Sequence, residues 1–223
     1  IASIADRYLL STYDFCLNTG GIFNVTYQNK ERSIAFDITG ANQILNALAN
    51  ELQLLYDENG SIAQSGKLNE ALLKRSNELN YFDQIYPTSL DNQWVKKHLT
   101  ELFVNYDAPV KDKLRTACEH IVFQTQQSMK QIIQKEGLEK NKQYKMIATG
   151  GGAFNTFLME LLATRLPELE IIIPSPEIIE CKEALMIALM GVMRVENVPN
   201  CISSVTGAKR DVIGGAIHQG WRK

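Results

Sequence analysis

The sequence predicts an α/β fold: three antiparallel strands, then alternating helices and strands, with a helical insertion between the two parts. Three observations carry the prediction. Short apolar segments near the start are separated by tight polar turns and alternate in period two. Longer segments downstream repeat apolar residues at helical spacing, with strand-like runs between them. An apolar run also meets a glycine cluster twice, at Cys16-Leu-Asn-Thr-Gly-Gly21 and at Met146-Ile-Ala-Thr-Gly-Gly-Gly152.

Asp14 to Leu17 form the first strand and lead into Asn18-Thr19-Gly20-Gly21. Ile22 to Tyr27 alternate apolar and polar residues up to a turn at Gln28-Asn-Lys-Glu31, and Ser33 to Ile38 form the third strand of an antiparallel meander. Ile44, Leu45, Leu48, Leu52 and Leu55 then recur at helical spacing after Asn42, a candidate N-cap, and this helix ends in Tyr56-Asp-Glu-Asn-Gly60. From about residue 57 to 108 the chain is more polar. It holds a helix at Lys67 to Ser76, a loop around Tyr86-Pro-Thr-Ser-Leu90 and a helix from Asn92 to Val104, and reads as an insertion on the scaffold. Asp107 and Pro109 start a long helix whose stripe is Leu114, Cys118, Ile121, Val122, Thr125, Met129, Ile132 and Ile133. A strand (Tyr144 to Ala148), the triple glycine, a helix (Asn155 to Arg165), a strand (Glu170 to Ile173) and a helix (Cys181 to Val195) complete the order.

At 223 residues and 45% hydrophobic content the chain can bury a full core, as one large domain or two small ones. Its 23 basic and 25 acidic residues are well mixed, which leaves no electrostatic footprint for nucleic acid or an anionic membrane. The longest apolar stretch, Ala184 to Met193, is about half the roughly 20 residues that span a bilayer, and reads as a buried helix. The four cysteines are scattered without a CxxC, and His98, His120 and His218 form no ligand spacing. Reduced thiols in a cytoplasmic setting and no protein-built metal site are therefore expected. The chain opens at Ile1 without methionine or a secretory pattern, so a preceding segment is expected to be missing.

Two strand-to-glycine turns suit a nucleotide clamped between them. Glycine lacks a Cβ, so its backbone can take positive φ and bring N–H groups close to a phosphate or a sugar. Gly150, Gly151 and Gly152 precede a helix with Asn155 in its first turn, where free N–H groups and the helix dipole favour a ribose or an α-phosphate. A hairpin turn at Gly20-Gly21 and a glycine-rich entry for close packing are the structural alternatives. The element order is the ribonuclease-H-like layout shared by actin, hexokinase and Hsp70-type ATPases.

Several segments together resemble the C-terminal half of anhydro-N-acetylmuramic acid kinases, a family of this actin-like superfamily. They are Leu17-Asn-Thr-Gly-Gly-Ile-Phe-Asn24, the element from Phe36-Asp37 to Asn42, Thr149-Gly-Gly-Gly-Ala-Phe-Asn155, Lys182-Glu183-Ala184, and Ser204-Val-Thr-Gly-Ala208 with Gly214-Gly215. The resemblance implies phosphorylation of 1,6-anhydro-N-acetylmuramic acid with ATP and Mg²⁺, water opening the anhydro ring, in a bacterial, cytoplasmic homodimer. It places the first phosphate loop and the water-activating aspartate upstream, so this chain is expected to hold no catalytic residue of its own and to be inactive alone.

The same resemblance assigns roles by position. Gly20 and Gly21 correspond to the second phosphate loop, and Asn18 to a position where related kinases carry an acid that holds magnesium through water. A neutral amide orients water without adding charge, so the metal is expected to rely on the phosphates. Asp37 and Asn42 fall on a loop that contacts sugar or phosphate, and Glu183 faces the sugar cleft. The structural alternative for Glu183 is a first-turn acid favoured by the helix dipole. Thr39 and Ala41 stand where many members have glycine. Ser89-Leu-Asp-Asn-Gln93 lacks the arginine common there, which would give a bidentate contact to an anion. Arg210 and Asp211 read as a solvated charge pair. Two other readings stay open: a non-catalytic, nucleotide-dependent interaction module, and a kinase for another amino sugar.

Overall fold

The computed structural model describes residues 2–29, 32–139 and 142–218. One five-stranded sheet organises the chain, in the order β3-β2-β1-β4-β5. Strands β1 (Phe15–Thr19), β2 (Ile22–Gln28) and β3 (Ser33–Gly40) form the expected antiparallel meander. Strands β4 (Tyr144–Thr149) and β5 (Leu169–Ile172) add in parallel beside β1. This is the ribonuclease-H-like arrangement. Of the turn expected at Gln28 to Glu31, Lys30 and Glu31 lie outside the described residues.

The two sheet faces differ because the strands alternate. One carries Phe15, Leu17, Phe23, Val25, Tyr27, Phe36, Met146 and Ala148 into the main core. Helices α2 (Asn42–Asn50), α7 (Val110–Lys135) and α8 (Thr156–Arg165) close that core with Ile44, Leu48, Leu114, Ile121, Met129, Leu158 and Leu162. The opposite face presents Cys16, Asn18, Asn24, Thr26, Asp37 and Thr149, and is covered in part by α1 (Ala2–Leu9) and α9 (Pro176–Val195), which pack on each other. A register shift between Phe23 and Asn24 sets Thr39 opposite Phe23, and the Thr39 hydroxyl meets buried His120 of α7 at 2.9 Å.

The polar stretch contributes to the same core rather than standing apart from it. Helices α3 (Ser61–Ser65) and α4 (Glu70–Asn77) lie on α7, and Ala63, Leu72, Tyr86, Leu99 and Phe103 are fully or nearly buried in the main cluster. Between Asn92 and Val104 the chain is helical throughout, α5 (Asn92–Val95) running through a π-helical turn into α6 (Glu101–Val104).

Several boundaries differ from expectation, each for a local reason. Helix α2 stops at Asn50, where Gln53 turns to φ 63°, so Leu52 and Leu55 of the expected stripe are exposed, Leu55 by 81%. Asn42 does not cap it: Ala41 holds that position without a side-chain bond. The expected helix at Lys67 begins at Glu70, because Asn69 accepts from the Leu72 N–H and caps it there. Helix α9 starts at Pro176, more than a turn before Cys181, proline being suited to a first helical position. Its apolar stretch from Ala184 to Met193 is not a buried helix. Met193 is buried with Ile4 and Ile202, but Leu185, Ile187 and Val192 are exposed because none of the described residues covers that side. Asp211 forms no pair with Arg210. It accepts from the Ser203 hydroxyl and N–H at 2.6 and 2.7 Å, and these bonds hold its carboxyl below the usual range.

Candidate nucleotide and sugar site

The two glycine turns meet in one corner at the carboxyl ends of β1 and β4. Thr19 Oγ1 donates to the Thr149 carbonyl at 2.8 Å and to the Gly150 carbonyl at 3.2 Å. Asn42 Nδ2 in turn donates to the Thr19 carbonyl at 3.0 Å. The carbonyls of Gly20 and Gly21 accept from the backbone N–H groups of Asn42 and Ala41, so the first turn is bound to the start of α2.

Among the five glycines of these turns, only Gly150 takes a left-handed backbone, at φ 91°. Gly152 is required for a different reason: a Cβ there would lie 2.7 Å from the Thr19 carbonyl oxygen. The glycines therefore serve as much for close approach of two turns as for positive φ. After them the chain makes a tight helical turn (Gly151–Phe154), and Asn155 caps α8 by accepting from the Leu158 N–H at 3.0 Å.

Beside this corner lies a cavity of about 430 Å³ lined by Asn42, Asn46, Tyr56, Gly151, Gly152, Phe154 and Asn155, with Asp57 to Asn59 on one wall. Its volume falls in the range of small-molecule sites. Phe154 and Tyr56 stay exposed by 45% and 60%, which leaves two aromatic faces on its rim. The sequence singles out neither: Phe154 is one residue of the glycine motif, and Tyr56 stands at the end of a helical stripe. The Asp57 carboxylate is occupied structurally, accepting from the Ile62 and Ala63 N–H groups at 2.9 Å.

Asp37 stands at a second cavity of about 440 Å³, on the polar sheet face, with Ser3, Asn24, Thr26, Ser89 and Thr206. Its Oδ2 accepts from the Leu90 N–H at 2.9 Å and the Ser89 hydroxyl at 3.2 Å, and its carbonyl accepts from the Tyr81 hydroxyl at 2.6 Å. Oδ1 has no protein partner among the described residues. Loop 86–90 is held in turn by Tyr86, stacked on Phe36 and donating to Glu136 at 2.9 Å.

Strand register joins the two cavities. Asp37 lies opposite Asn24, Asn24 opposite Asn18, and Asn18 opposite Thr149, so four polar residues form one row across β3, β2, β1 and β4. Three strand spacings make this row about 14 Å long. Asn42 falls in the first cavity with the glycines, not beside Asp37. Glu183 is exposed in the third turn of α9 and lines neither cavity, and this far from Pro176 the helix dipole does not account for it.

No group of three or more His, Cys, Asp or Glu residues able to hold a metal exists among the described residues, and no helix among them is long and apolar enough to cross a membrane. Asn18 can offer one neutral oxygen at the row's centre, which fits a magnesium ion carried on phosphates and not one caged by protein.

Comparison with known proteins shows the family of the chain. A family model described as anhydro-N-acetylmuramic acid kinase matches residues 8–220. An anhydro-N-acetylmuramic acid kinase of Photobacterium profundum is 28% identical over 218 residues, covering 94% of this chain and 57% of the relative. That of Shewanella oneidensis is 31% identical over 209 residues, covering 89% and 54%. A solved structure, the activator of the 2-hydroxyisocaproyl-CoA dehydratase from Clostridium difficile with bound ADPNP, has a TM-score of 0.46 and 16% identity, covering 88% of this chain and 66% of that one. The chain spans about half the length of the curated relatives it matches. With the model matched along nearly all of its length, the chain belongs to the anhydro-N-acetylmuramic acid kinase family.

Proposed function

We propose that this chain forms the nucleotide-holding lobe of an ATP-dependent sugar kinase that phosphorylates 1,6-anhydro-N-acetylmuramic acid to the 6-phosphate, with water opening the anhydro ring. The observation that carries the reading is the polar row Asp37, Asn24, Asn18 and Thr149, which leads from one cavity to the glycine corner of the other. The base and ribose occupy the cavity at Gly151, Gly152, Phe154 and Asn155, with Asn42 holding the corner in shape. The phosphates pass Gly20, Gly21 and Gly150 toward Asn18. Backbone groups and amides set beforehand along this track stabilise charge on the moving phosphoryl group without reorganising.

The sugar hydroxyls belong at the second cavity, where the free oxygen of Asp37 and the side chains of Asn24, Ser89 and Thr206 offer hydrogen bonds. Mg²⁺ bound to the triphosphate supplies charge neutralisation, and Asn18 orients its water. Family membership supports ATP and the anhydro-sugar as the substrate pair, and a homodimer as the assembly.

The test is ADP release by the full-length protein with ATP, Mg²⁺ and one sugar at a time, alongside calorimetric binding of ATP. Release with the anhydro-sugar alone is the expected result. Release only with N-acetylglucosamine would move the assignment to another amino sugar. ATP binding with no turnover on either would favour a nucleotide-dependent interaction module.

A further inference from the structure

Lys182 is a largely covered cation on the polar sheet face that the reading above leaves without a task. Its side chain is 12% exposed, and it pairs with Asp6 of α1, itself 3% exposed, at 2.9 Å. The ammonium donates to the Thr149 hydroxyl, also at 2.9 Å. Asp6 is held from its other oxygen by the Thr26 hydroxyl at 2.7 Å. The charge of Asp6 also reaches β1: burial, and after it this carboxylate, push the Cys16 thiol up. A buried pair of this kind adds little net stability, because desolvation offsets the attraction. What it supplies is a fixed point.

That point is joined to the nucleotide corner by an unbroken line of bonds. Lys182 donates to Thr149, Thr19 donates to the Thr149 carbonyl, and Asn42 donates to the Thr19 carbonyl on the cavity wall. Gly150 follows Thr149 directly and is packed tightly: a Cβ there would lie 2.8 Å from Asn18 Oδ1 and 3.1 Å from the Thr19 backbone. A shift at Thr149 therefore has no slack in which to dissipate before it reaches the turn.

We infer that Lys182, with Asp6 as its counter-charge, is a positioning residue that sets the Thr149–Gly150 corner for the nucleotide through the Thr149 hydroxyl. The inference rests on the ATP-lobe reading. It acts on nucleotide affinity and not on the sugar, whose cavity at Asp37 lies at the other end of the row.

Calorimetric ATP affinity and sugar KM of the full-length protein test it. Thr149→Val keeps the shape and removes the hydroxyl, and it should weaken ATP binding about tenfold, the effect of one hydrogen bond to a charged group. Thr149→Ser restores the hydroxyl and should bind ATP as the wild type does. A double variant, Lys182→Met with Asp6→Asn, removes both charges together and should match the loss of Thr149→Val. In every variant the sugar KM should stay within about twofold, since the asparagine at position 6 keeps an oxygen that can accept from Thr26 on the wall of the sugar cavity. Wild-type affinity in folded Thr149→Val, or an equal loss in Thr149→Ser, would overturn the inference while leaving the ATP lobe intact. Failure of the wild type to bind ATP would instead overturn the lobe reading, and this inference with it.

Discussion

Thr19 and Thr149, 130 residues apart in sequence, are joined by a buried hydrogen bond of 2.8 Å from the hydroxyl of the first to the carbonyl of the second. This bond turns two separate strand ends into one corner. The parallel register sets Asn18 opposite Thr149 and leaves Thr19 one residue beyond it, and the glycine turn after Thr149 settles closely against Thr19.

The corner makes opposite predictions for adjacent glycines. In Gly152→Ala the new methyl meets the Thr19 carbonyl oxygen, a backbone atom that cannot swing away. Overpacking of this kind costs about 1–3 kcal/mol, so thermal unfolding should shift down and ATP affinity should fall with it. In Gly151→Ala the nearest atom is Asn42 Nδ2 at 3.9 Å, so stability should stay within about 0.5 kcal/mol. Reduced ATP binding by that folded variant would mark close approach of the ligand to Gly151. Thermal unfolding and calorimetry on the pair separate the two effects.

Phe154 is half exposed at the mouth of the first cavity and lies outside the buried core. Phe154→Ala should leave the melting temperature within error and weaken ATP binding about tenfold, as loss of one stacked base does. Unchanged affinity would remove Phe154 from the base site.

Asp37→Asn preserves an oxygen for the Leu90 N–H and removes the charge at the second cavity. The sugar KM should rise about tenfold or more, because hydrogen bonds to a charged group are the stronger kind. ATP affinity should not change, since Asp37 is three strands away from Thr149. A normal sugar KM in the folded variant would place the sugar elsewhere.

His120 supplies a pH prediction. It is fully buried between Thr39 and Asn77, and desolvation lowers its pKa to about 3. Gln124 donates to Asn77 Oδ1, which marks that atom as the acceptor; Nδ1 of His120 therefore carries the proton and Nε2 accepts from Thr39. As pH falls below about 6.5 the unfolded chain takes up a proton that the folded chain refuses until about 3, so stability is complete above that window and is lost through it. Between pH 7 and 5 this group should remove about 2 kcal/mol from the unfolding free energy. Urea titrations at both pH values should find that component in the wild type and not in His120→Gln.

Much of this was legible in one dimension. Period-two alternation located β1 to β3, helical stripes located α2 and α7, and the glycine clusters located both turns, because each signal comes from neighbours along the chain. Where a boundary was misjudged, a local competitor decided it: Gln53 ended α2 early, Asn69 moved the start of α4, and Pro176 opened α9 before Cys181. The apolar run of α9 misled for another reason. Composition records that a residue is apolar and not whether another element reaches it.

By itself, then, the sequence determined the order and type of the five strands and of the main helices α2, α7, α8 and α9, but not α1 or α3, and it determined the residues of the two turns, since propensity, alternation and a missing Cβ are properties of short segments. Only the tertiary structure decided that Asp37, Asn24, Asn18 and Thr149 stand in one row, that Asn42 belongs with the glycines, and that Lys182 is anchored to Asp6 and Thr149. Those relations depend on strand register and on helices crossing a sheet face, which join residues of different elements and leave no trace in local spacing.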